Sequence, residues 1–324
     1  LADKKHLAIG FRQRHSQAIV EIHHCAVLVP ALQKILPSVR RCLSRWSQPR
    51  QLGHIELLAA DNGVGMLLRV TSAIAEVDMA LLQNFATEHA LTVYMQQTED
   101  KQSVQYICGV ERTLLLHHEQ TGSVSACTPG DFLQTNTAVN RLLINAVLSA
   151  LNPKASDSVL EAFCGLGNFT VPLSKQVDKI SALEVSNSMI QRAEKQAAAQ
   201  KIANVSWVVC DLSIKKNCEK IQVAANKILL DPPREGAQTF CQYASLNGVD
   251  RIVYVSCNPS TFARDAAILA QRGFALHQVT MVDMFPQTSH IELLAVFDAK
   301  PNASHKKITT VQVPKKKTFK KLKR

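Results

Sequence analysis

The fold is decided by a stretch that reads Arg251-Ile-Val-Tyr-Val-Ser-Cys257-Asn-Pro-Ser-Thr-Phe-Ala-Arg264-Asp265. The uninterrupted apolar run Ile252-Val-Tyr-Val255 predicts a strand that is buried on both faces, as in a parallel sheet. Asn258 is a good N-cap and Pro259 suits a first helical position, so a helix is predicted directly after the turn. Cys257 therefore ends a strand and precedes a helix N-terminus, which is where open α/β sheets bind ligands. We expect the helix dipole to favour its thiolate, with a small buried hydrophobe as the alternative.

Outward from this stretch, short apolar strands alternate with amphipathic helices, a pattern typical of a parallel sheet. The last two strands are joined by Asp283–His290, where no crossover helix fits, so they should pair antiparallel. We therefore predict an α/β, Rossmann-like fold, with a mixed seven-stranded sheet whose last strand is antiparallel. The predicted strands are residues 158–163, 179–184, 205–211, 227–231, 252–255, 275–282 and 291–297.

Residues 1–126 predict a smaller α+β domain that precedes the sheet. Asp61-Asn-Gly63 is a strong turn signal between two apolar strands, and another hairpin is predicted between Gly10–Arg12 and Ile19–Ile22. The segment Val29–Trp46 has the spacing of an amphipathic helix. Its apolar face comprises Leu32, Ile35, Leu36, Val39 and Leu43.

Composition indicates the class of protein. With 46% hydrophobic residues, the 324-residue chain can bury a sizeable core. No apolar run approaches the roughly 18 residues of a membrane span, so we expect no membrane association. The nine cysteines are irregularly spaced and include no C-x-x-C pair, which predicts reduced thiols in a cytoplasmic protein. Neither a disulfide framework nor a self-contained zinc site follows from this spacing.

The formal charge of +11 is concentrated at the C-terminus. Nine of the 37 Lys and Arg residues lie in residues 301–324, which contain no Asp or Glu, so 28 cations face 26 anions elsewhere. We predict that residues 300–324 form a disordered basic tail that binds phosphate groups, with a solubilising end as the alternative.

A glycine turn follows the first predicted strand of the sheet. Gly165-Leu-Gly167 is compatible with NAD, FAD, S-adenosylmethionine or a structural turn. Thr170 stands where the dinucleotide fingerprint has its third glycine, which favours a cofactor with a single nucleoside. Glu184 ends the second strand and can accept hydrogen bonds from two ribose hydroxyls, while Asp211 ends the third and can hold an adenine edge. We predict S-adenosylmethionine, with solvated strand ends as the alternative for both acids.

Cys257 indicates which atom would be methylated. C5 of a pyrimidine becomes nucleophilic only after a group has added to C6, and a thiolate can make that addition. The C5 proton must then be removed by a general base, and we predict Glu292, at the start of the last strand, for this role. In Asp231-Pro-Pro-Arg234, the prolines fix a rigid turn that aims Asp231 into the cleft. Ordinary surface positions for both acids are the alternative.

Five segments together resemble the RNA uracil-C5 methyltransferases, which are class I enzymes dependent on S-adenosylmethionine. Similar enzymes for cytosine carry a second cysteine beside the strand-four proline, and residues 231–236 contain none, so uracil is favoured. Gly10-Phe-Arg12, Ile19–Cys25 and Ala263-Arg-Asp265 make the chain more similar to the 23S ribosomal RNA branch than to the transfer-RNA branch. The five segments are Asp131–Asn136, Glu161–Thr170, Leu230–Gly236, Val255–Pro259 and Asp283–Glu292.

The resemblance implies roles for individual residues. It implies that Cys257 is the nucleophile and Glu292 the base. It also implies contacts of Gln134, Asp231 and Arg234 with the uracil, which must be flipped out of the RNA to reach the thiol. The implied cofactor pocket is lined by Gln134, Phe163, Asn168, Glu184, Asp211 and Asp231.

The resemblance further implies a monomer whose partner is 23S ribosomal RNA. Residues 1–126 would contact the RNA and residues 127–299 would transfer the methyl group. A transfer-RNA uracil-C5 methyltransferase and an inactive RNA-binding fragment are the alternatives.

There are two departures from the family pattern. Glu161 stands where an Asp is more usual, which is a mild change. Cys25 matches the last of four cysteines that hold a [4Fe-4S] cluster in this branch. Because the chain begins at Leu1 without an initiating Met, we expect that the other three cysteines and an oligonucleotide-binding barrel lie before residue 1. We do not expect this chain alone to assemble the cluster.

Overall fold

The computed structural model describes residues 2–3, 6–13, 16–97, 104–118, 122–221, 224–286, 288 and 290–301 of the chain. The chain forms two compact units, Leu1–Phe132 and Leu133–Arg324. The predicted basic tail lies outside the described residues from residue 302 onward. Within the described ranges, no helix combines the length and the hydropathy that crossing a membrane requires.

The first unit is an α+β assembly around one four-stranded sheet. Its strands are β1 (Ala2–Asp3), β2 (His6–Leu7), β3 (Gly10–Arg12), β4 (Ile19–Glu21), β5 (Leu52–Ala60), β6 (Gly63–Val70), β7 (Leu91–Gln97), β8 (Gln105–Gly109), β9 (Leu114–His118) and β10 (Ser123–Cys127), and its helices are α1 (Pro30–Leu43), the 3-10 helix η1 (Pro49–Gln51) and α2 (Glu76–Glu88). The sheet has the order β5-β6-β7-β8, in which β6 and β7 are parallel and the other neighbours antiparallel. Antiparallel pairs also form between β1 and β2, β3 and β4, and β9 and β10. Both predicted hairpins are therefore confirmed, at β3-β4 and at β5-β6.

Helix α1 confirms the predicted amphipathic segment, with a shorter C-terminal end. The five apolar positions predicted for its inner face are all buried. The helix ends at Leu43, and Trp46 is nevertheless buried in the same core. Hydrophobic spacing therefore predicts the buried face correctly but not the residue at which the helix ends.

The second unit has the predicted α/β fold. Its strands are β11 (Ser158–Ala162), β12 (Lys179–Glu184), β13 (Val205–Val209), β14 (Lys227–Leu230), β15 (Arg251–Ser256), β16 (Phe274–Val282) and β17 (Glu292–Ala299), and its helices are α3 (Thr137–Leu151), α4 (Thr170–Ser174), α5 (Asn187–Ala199), α6 (Lys215–Lys220), α7 (Gln238–Tyr243) and α8 (Pro259–Gln271). These strands form one seven-stranded sheet of order β13-β12-β11-β14-β15-β17-β16. The strands from β11 to β15 pair in parallel, and β17 is antiparallel to both of its neighbours. The predicted mixed sheet with a reversed last strand is confirmed.

Two apolar layers cover the two faces of this sheet. Because successive side chains of a strand point to opposite faces, Leu160 and Ile252 pack in one layer while Val159 and Val253 pack in the other. The strand order reverses at β11, which pairs with β12 on one side and with β14 on the other. At such a switch point the loops that follow the strands diverge and leave a crevice. The fold therefore offers a ligand site at the carboxyl ends of β11 and β14.

Candidate active site

The strand register places the predicted site residues along the carboxyl edge of the sheet. Ser256 pairs with Leu293 at the end of the antiparallel β15-β17 ladder; Cys257 follows Ser256, and Glu292 precedes Leu293. Ala162 pairs with Leu183 on one side and with Leu230 on the other, so Phe163 lies between Glu184 and Asp231. Neighbouring strands are about 4.8 Å apart, which brings residues at adjacent strand ends within contact range.

Cys257 begins the turn into α8 and is partly exposed. Asn258 caps this helix as predicted, because its Oδ1 accepts the Ser260 N–H at 3.1 Å. Burial and neighbouring charges outweigh the predicted effect of the helix dipole on the thiol. Burial raises the pKa of the Cys257 thiol, the charges of Glu292 and Asp231 raise it further, and Arg234 lowers it. The resting sulfur is therefore a thiol that lies near two carboxyl groups.

Glu292 and Asp231 are acids whose pKa lies near neutrality. Glu292 is 4% exposed, and burial raises its pKa to about 7 against the lowering effect of Arg234. Burial also raises the pKa of Asp231 to about 7, and the charge of Glu292 contributes. A carboxyl group with such a pKa is populated in both protonation states at neutral pH and can act as a general base.

The glycine turn between β11 and α4 adopts left-handed backbone conformations. The φ angles of Phe163, Gly165 and Gly167 are 66°, 56° and 87°. For Phe163 this conformation costs on the order of 1–3 kcal/mol, and such strain is typical of ligand-binding turns. The Gly165 N–H donates to Glu184 Oε2 at 3.2 Å, and the Ser186 N–H donates to Oε1 at 3.0 Å. These two bonds orient the Glu184 carboxylate and leave lone pairs for hydroxyl groups of a ligand.

Asp211 and Asn168 are each oriented by a neighbouring side chain. Asp211 Oδ1 accepts from the Ser213 N–H at 2.9 Å and from its hydroxyl at 2.6 Å. Asn168 forms a reciprocal amide pair with Asn140 of α3, with N–O distances of 2.8 and 3.1 Å. The sequence does not single out Asn140, because only its place on the buried face of α3 distinguishes it. Asn140 fixes the amide orientation of Asn168.

Gln134 Oε1 is buried without a hydrogen-bond partner among the described residues. Asn136, two residues after Gln134, donates to the Met284 carbonyl at 3.2 Å, in the loop that leads to Glu292. Burial raises the pKa of the buried Glu161 to about 8, against the effect of a hydrogen bond from Thr170 and with a contribution from the charge of Asp231, so the acid is mostly neutral at pH 7. A buried acceptor without a donor costs about 1–3 kcal/mol, so Gln134 Oε1 suits the N–H or O–H of a ligand.

The chain that builds this site also matches a known family. Residues 110–300 match the family model described as tRNA (Uracil-5-)-methyltransferase. The chain belongs to this family. It is 42% identical over 298 residues to the 23S rRNA (uracil(1939)-C(5))-methyltransferase RlmD of Histophilus somni, over 92% of this chain. It is 40% identical over 298 residues to the protein of the same name from Vibrio cholerae, over 91% of this chain. The chain spans 66% of the length of each of these two relatives.

Solved structures of methyltransferases share the fold. The crystal structure of Pyrococcus abyssi tRNA (uracil-54, C5)-methyltransferase in complex with S-adenosyl-L-homocysteine matches with a TM-score of 0.68 and 21% identity, over 90% of this chain and 72% of that one. The crystal structure of M. jannaschii tRNA m1G37 methyltransferase matches with a TM-score of 0.52 and 14% identity, over 84% of this chain and 78% of that one. At these identities the matches establish the fold, and they confirm the predicted Rossmann-like architecture.

Cys25 belongs to the first unit, unlike the other predicted site residues. It is half-buried, and its N–H donates to Gln33 Oε1 at 3.1 Å. In the part of the chain that the structure describes, no group of three or more His, Cys, Asp or Glu side chains could hold a metal ion. One cysteine does not supply the ligands of a [4Fe-4S] cluster, so the residues present do not fit that group.

Proposed function

We propose that this chain transfers a methyl group from S-adenosylmethionine to C5 of a uridine in 23S ribosomal RNA, with 5-methyluridine as the product. The observation that carries the proposal is the position of Cys257 directly after Ser256, which pairs with Leu293 next to Glu292 of β17. This arrangement supports a nucleophile and a base in one site. The names of the relatives from Histophilus somni and Vibrio cholerae favour ribosomal RNA over transfer RNA as the substrate.

In the first step, the Cys257 thiol gives its proton to Asp231 and adds through Sγ to C6 of the uracil ring. The electron pair of the C5–C6 double bond moves to the carbonyl oxygen at C4, which leaves an enolate with a nucleophilic C5. Because the pKa of the Cys257 thiol is raised, the group that accepts its proton must lie close to it. The carboxyl groups whose charges affect this pKa are Asp231 and Glu292. Asp231 is the acceptor in this step because Glu292 must stay ionised for the last one.

S-adenosylmethionine supplies an electrophilic methyl group when it is bound. The residues at the carboxyl ends of β11 to β13 fit this cofactor, because Glu184 retains lone pairs for ribose hydroxyls and Asp211 suits an adenine amino group. Gln134 Oε1 adds a buried acceptor that needs a donor. Asn168, fixed by Asn140, and Phe163 at the strained turn complete the proposed pocket.

In the last step, Glu292 removes the proton from the methylated C5. The C5–C6 double bond forms again and the bond between Sγ and C6 breaks, so the sulfur leaves as a thiolate and regains the proton held by Asp231. With a pKa of about 7, Glu292 is ionised in a large fraction of molecules at neutral pH, which suits a general base.

Gln134, Asp231 and Arg234 are the residues that we assign to the uracil edge. Arg234 has only donors and therefore suits the carbonyl oxygens of the ring, including the one that gains charge in the enolate. The acceptors on Gln134 and Asp231 suit the N3–H. Residues 1–126 are assigned to RNA contact, residues 127–299 to methyl transfer and residues 300–324 to a basic tail. The base must leave the RNA stack to reach Cys257.

Methyl incorporation into 23S ribosomal RNA from cells that lack the native modification tests the proposal. Incorporation from labelled S-adenosylmethionine that is abolished by Cys257→Ala supports it. Incorporation into transfer RNA alone would identify the transfer-RNA alternative. RNA binding without incorporation, even after the N-terminal region of a relative is joined to the chain, would identify a binding fragment.

We also propose that the chain acts as a cytoplasmic monomer. All nine cysteines are free thiols, as a reducing compartment favours. Sedimentation equilibrium should give the mass of one chain, 35.7 kDa, and twice that mass would contradict the proposal.

A further inference from the structure

A buried carboxylate ties the loop after β14 to strand β15 and helix α8. This loop, residues 231–237, is called the arginine loop here. Asp265 of α8 is fully buried, and its Oδ2 accepts from the Ala237 N–H at 2.6 Å and from the Tyr254 hydroxyl at 2.7 Å. Its Oδ1 accepts from Arg264 Nε at 2.8 Å. One side chain thus connects three segments that meet at the active site.

Further bonds run from α8 to the backbone of the arginine loop. Asn258 Nδ2 and Thr261 Oγ1 donate to the Arg234 carbonyl at 2.9 and 3.1 Å. Arg264 Nη2 donates to the Glu235 carbonyl at 2.7 Å. Because all of these acceptors are main-chain carbonyls, the bonds fix the path of the backbone at Arg234.

The arginine loop packs this closely only because residue 236 is glycine. Gly236 has a φ of +78°, which other residues rarely adopt. A Cβ atom there would lie 2.5 Å from Asp265 Oδ2 and 2.6 Å from Arg264 Nη2. Any side chain at this position would displace the carboxylate that holds the loop.

The side chain of Arg234 is exposed in the arginine loop, and its charge reaches both proposed reacting groups. It lowers the pKa of Cys257 and that of Glu292, against the effect of burial in each case. Neither Asp265 nor Arg264 is among the charges that act on Cys257. The interaction between charges depends on their separation, so the path of the arginine loop decides how strongly Arg234 acts.

We propose that Asp265 is a positioning residue for methyl transfer, which holds the arginine loop against α8. It thereby fixes where Asp231 and Arg234, at the start of that loop, lie relative to Cys257, which precedes α8. The inference rests on the proposed function only in naming Cys257 the nucleophile, because the contacts that carry it involve no substrate. A role in stability alone is the competing explanation, and it makes a different prediction for the reactivity of Cys257.

The test is the rate of iodoacetamide alkylation at Cys257 as a function of pH in the full chain. Mass spectrometry of the peptide that contains Cys257 excludes the other eight cysteines from the measurement. The variants are Asp265→Asn, Arg234→Met and the double variant, which together form a double-mutant cycle. Asp157→Asn is the matched control, because Asp157 is also buried, at 4% exposure, but precedes β11 at the amino edge of the sheet.

Arg234→Met should lower the alkylation rate at pH 7 by roughly two- to fivefold, the effect of one partly solvated charge, and move the profile to higher pH. Asp265→Asn should give most of this change, and the double variant should be no slower than Arg234→Met. Asp157→Asn should lower the thermal unfolding temperature without moving the profile.

Three results would overturn the inference. The first is an alkylation profile unchanged by Arg234→Met, the second is one unchanged by Asp265→Asn, and the third is a double variant in which the two effects multiply. If Asp265→Asn does not fold, Arg264→Met removes the donors to Asp265 and Glu235 from a partly exposed side chain and is judged by the same criteria. A chain that shows the expected profiles but methylates no RNA refutes the proposed function and not this inference.

Discussion

Replacing Glu292 with Gln should stop the reaction after methyl transfer rather than before it. Gln nearly matches the shape of Glu, so the start of β17 keeps its packing, but the amide cannot accept the C5 proton. Loss of a general base lowers a rate by about 10²- to 10⁴-fold. That loss corresponds to about 3–5 kcal/mol in the barrier to elimination. The methylated RNA should therefore remain bonded to Cys257 through C6.

The structure also sets the pH range in which this base works. With a pKa of about 7 for Glu292, roughly one-tenth of the molecules carry the ionised base at pH 6 and nine-tenths at pH 8. Turnover by the native chain should rise roughly tenfold between these values and then level off. Asp231 also has a pKa of about 7, to which the charge of Glu292 contributes, so the native profile reports the ionisation of both acids.

Denaturing gel electrophoresis with labelled S-adenosylmethionine and a 23S ribosomal RNA fragment measures the trapped adduct. In Glu292→Gln the label should migrate with a protein–RNA band that nuclease reduces to the size of the protein. Glu194→Gln, which neutralises an exposed acid on α5, is the control and should release methylated RNA normally. Release at the native rate by Glu292→Gln would refute the reasoning. Loss of incorporation without an adduct would also refute it, because the base would then be needed before methyl transfer.

Three further changes test other parts of the chain. Glu184→Ala should weaken S-adenosylmethionine binding by about 10- to 100-fold in calorimetry, because charge-assisted bonds to the ribose are lost, and native affinity would contradict the proposed pocket. Gly236→Ala should destabilise the fold by about 1–3 kcal/mol in urea unfolding, because φ is +78° and Asp265 Oδ2 lies 2.5 Å from the new Cβ; an unchanged midpoint would argue against this packing. Deleting residues 301–324 should flatten the dependence of RNA affinity on salt concentration without changing the methylated nucleotide, and an unchanged slope would exclude a role of the tail in phosphate binding.

The sheet of the second unit is predictable because its signals are local. The apolar run Ile252-Val-Tyr-Val255 is too short for a helix of its own and ends in a polar turn, so it specifies a buried strand. The segment between β16 and β17 contains no helical pattern, which requires an antiparallel return. Site residues at the strand ends follow from the same pattern, because the carboxyl ends of parallel strands share one edge.

Residues that act through tertiary contacts are not predictable in this way. Asn140 and Asp265 lie on the buried faces of α3 and α8, where an isolated polar residue in the sequence does not reveal its partner. Their partners, Asn168 and the Ala237 N–H, are 28 residues away along the chain in both cases. Only the approach of a helix to a loop in the folded unit defines these pairs.

The protonation state of Cys257 shows how tertiary charges override a local motif. A helix N-terminus offers about half an elementary charge, whereas burial opposes the thiolate and Glu292 and Asp231 add negative charge when they are ionised. Because the thiolate is the reactive form, a cysteine kept as a thiol is slow to react with oxidants and other electrophiles at rest. Its activation requires a carboxylate that takes the proton and a cation that stabilises the thiolate, and both groups, Asp231 and Arg234, come from the arginine loop. The nucleophile is therefore reactive only where the arginine loop lies next to the start of α8, which makes the bonds that hold this loop part of the chemistry.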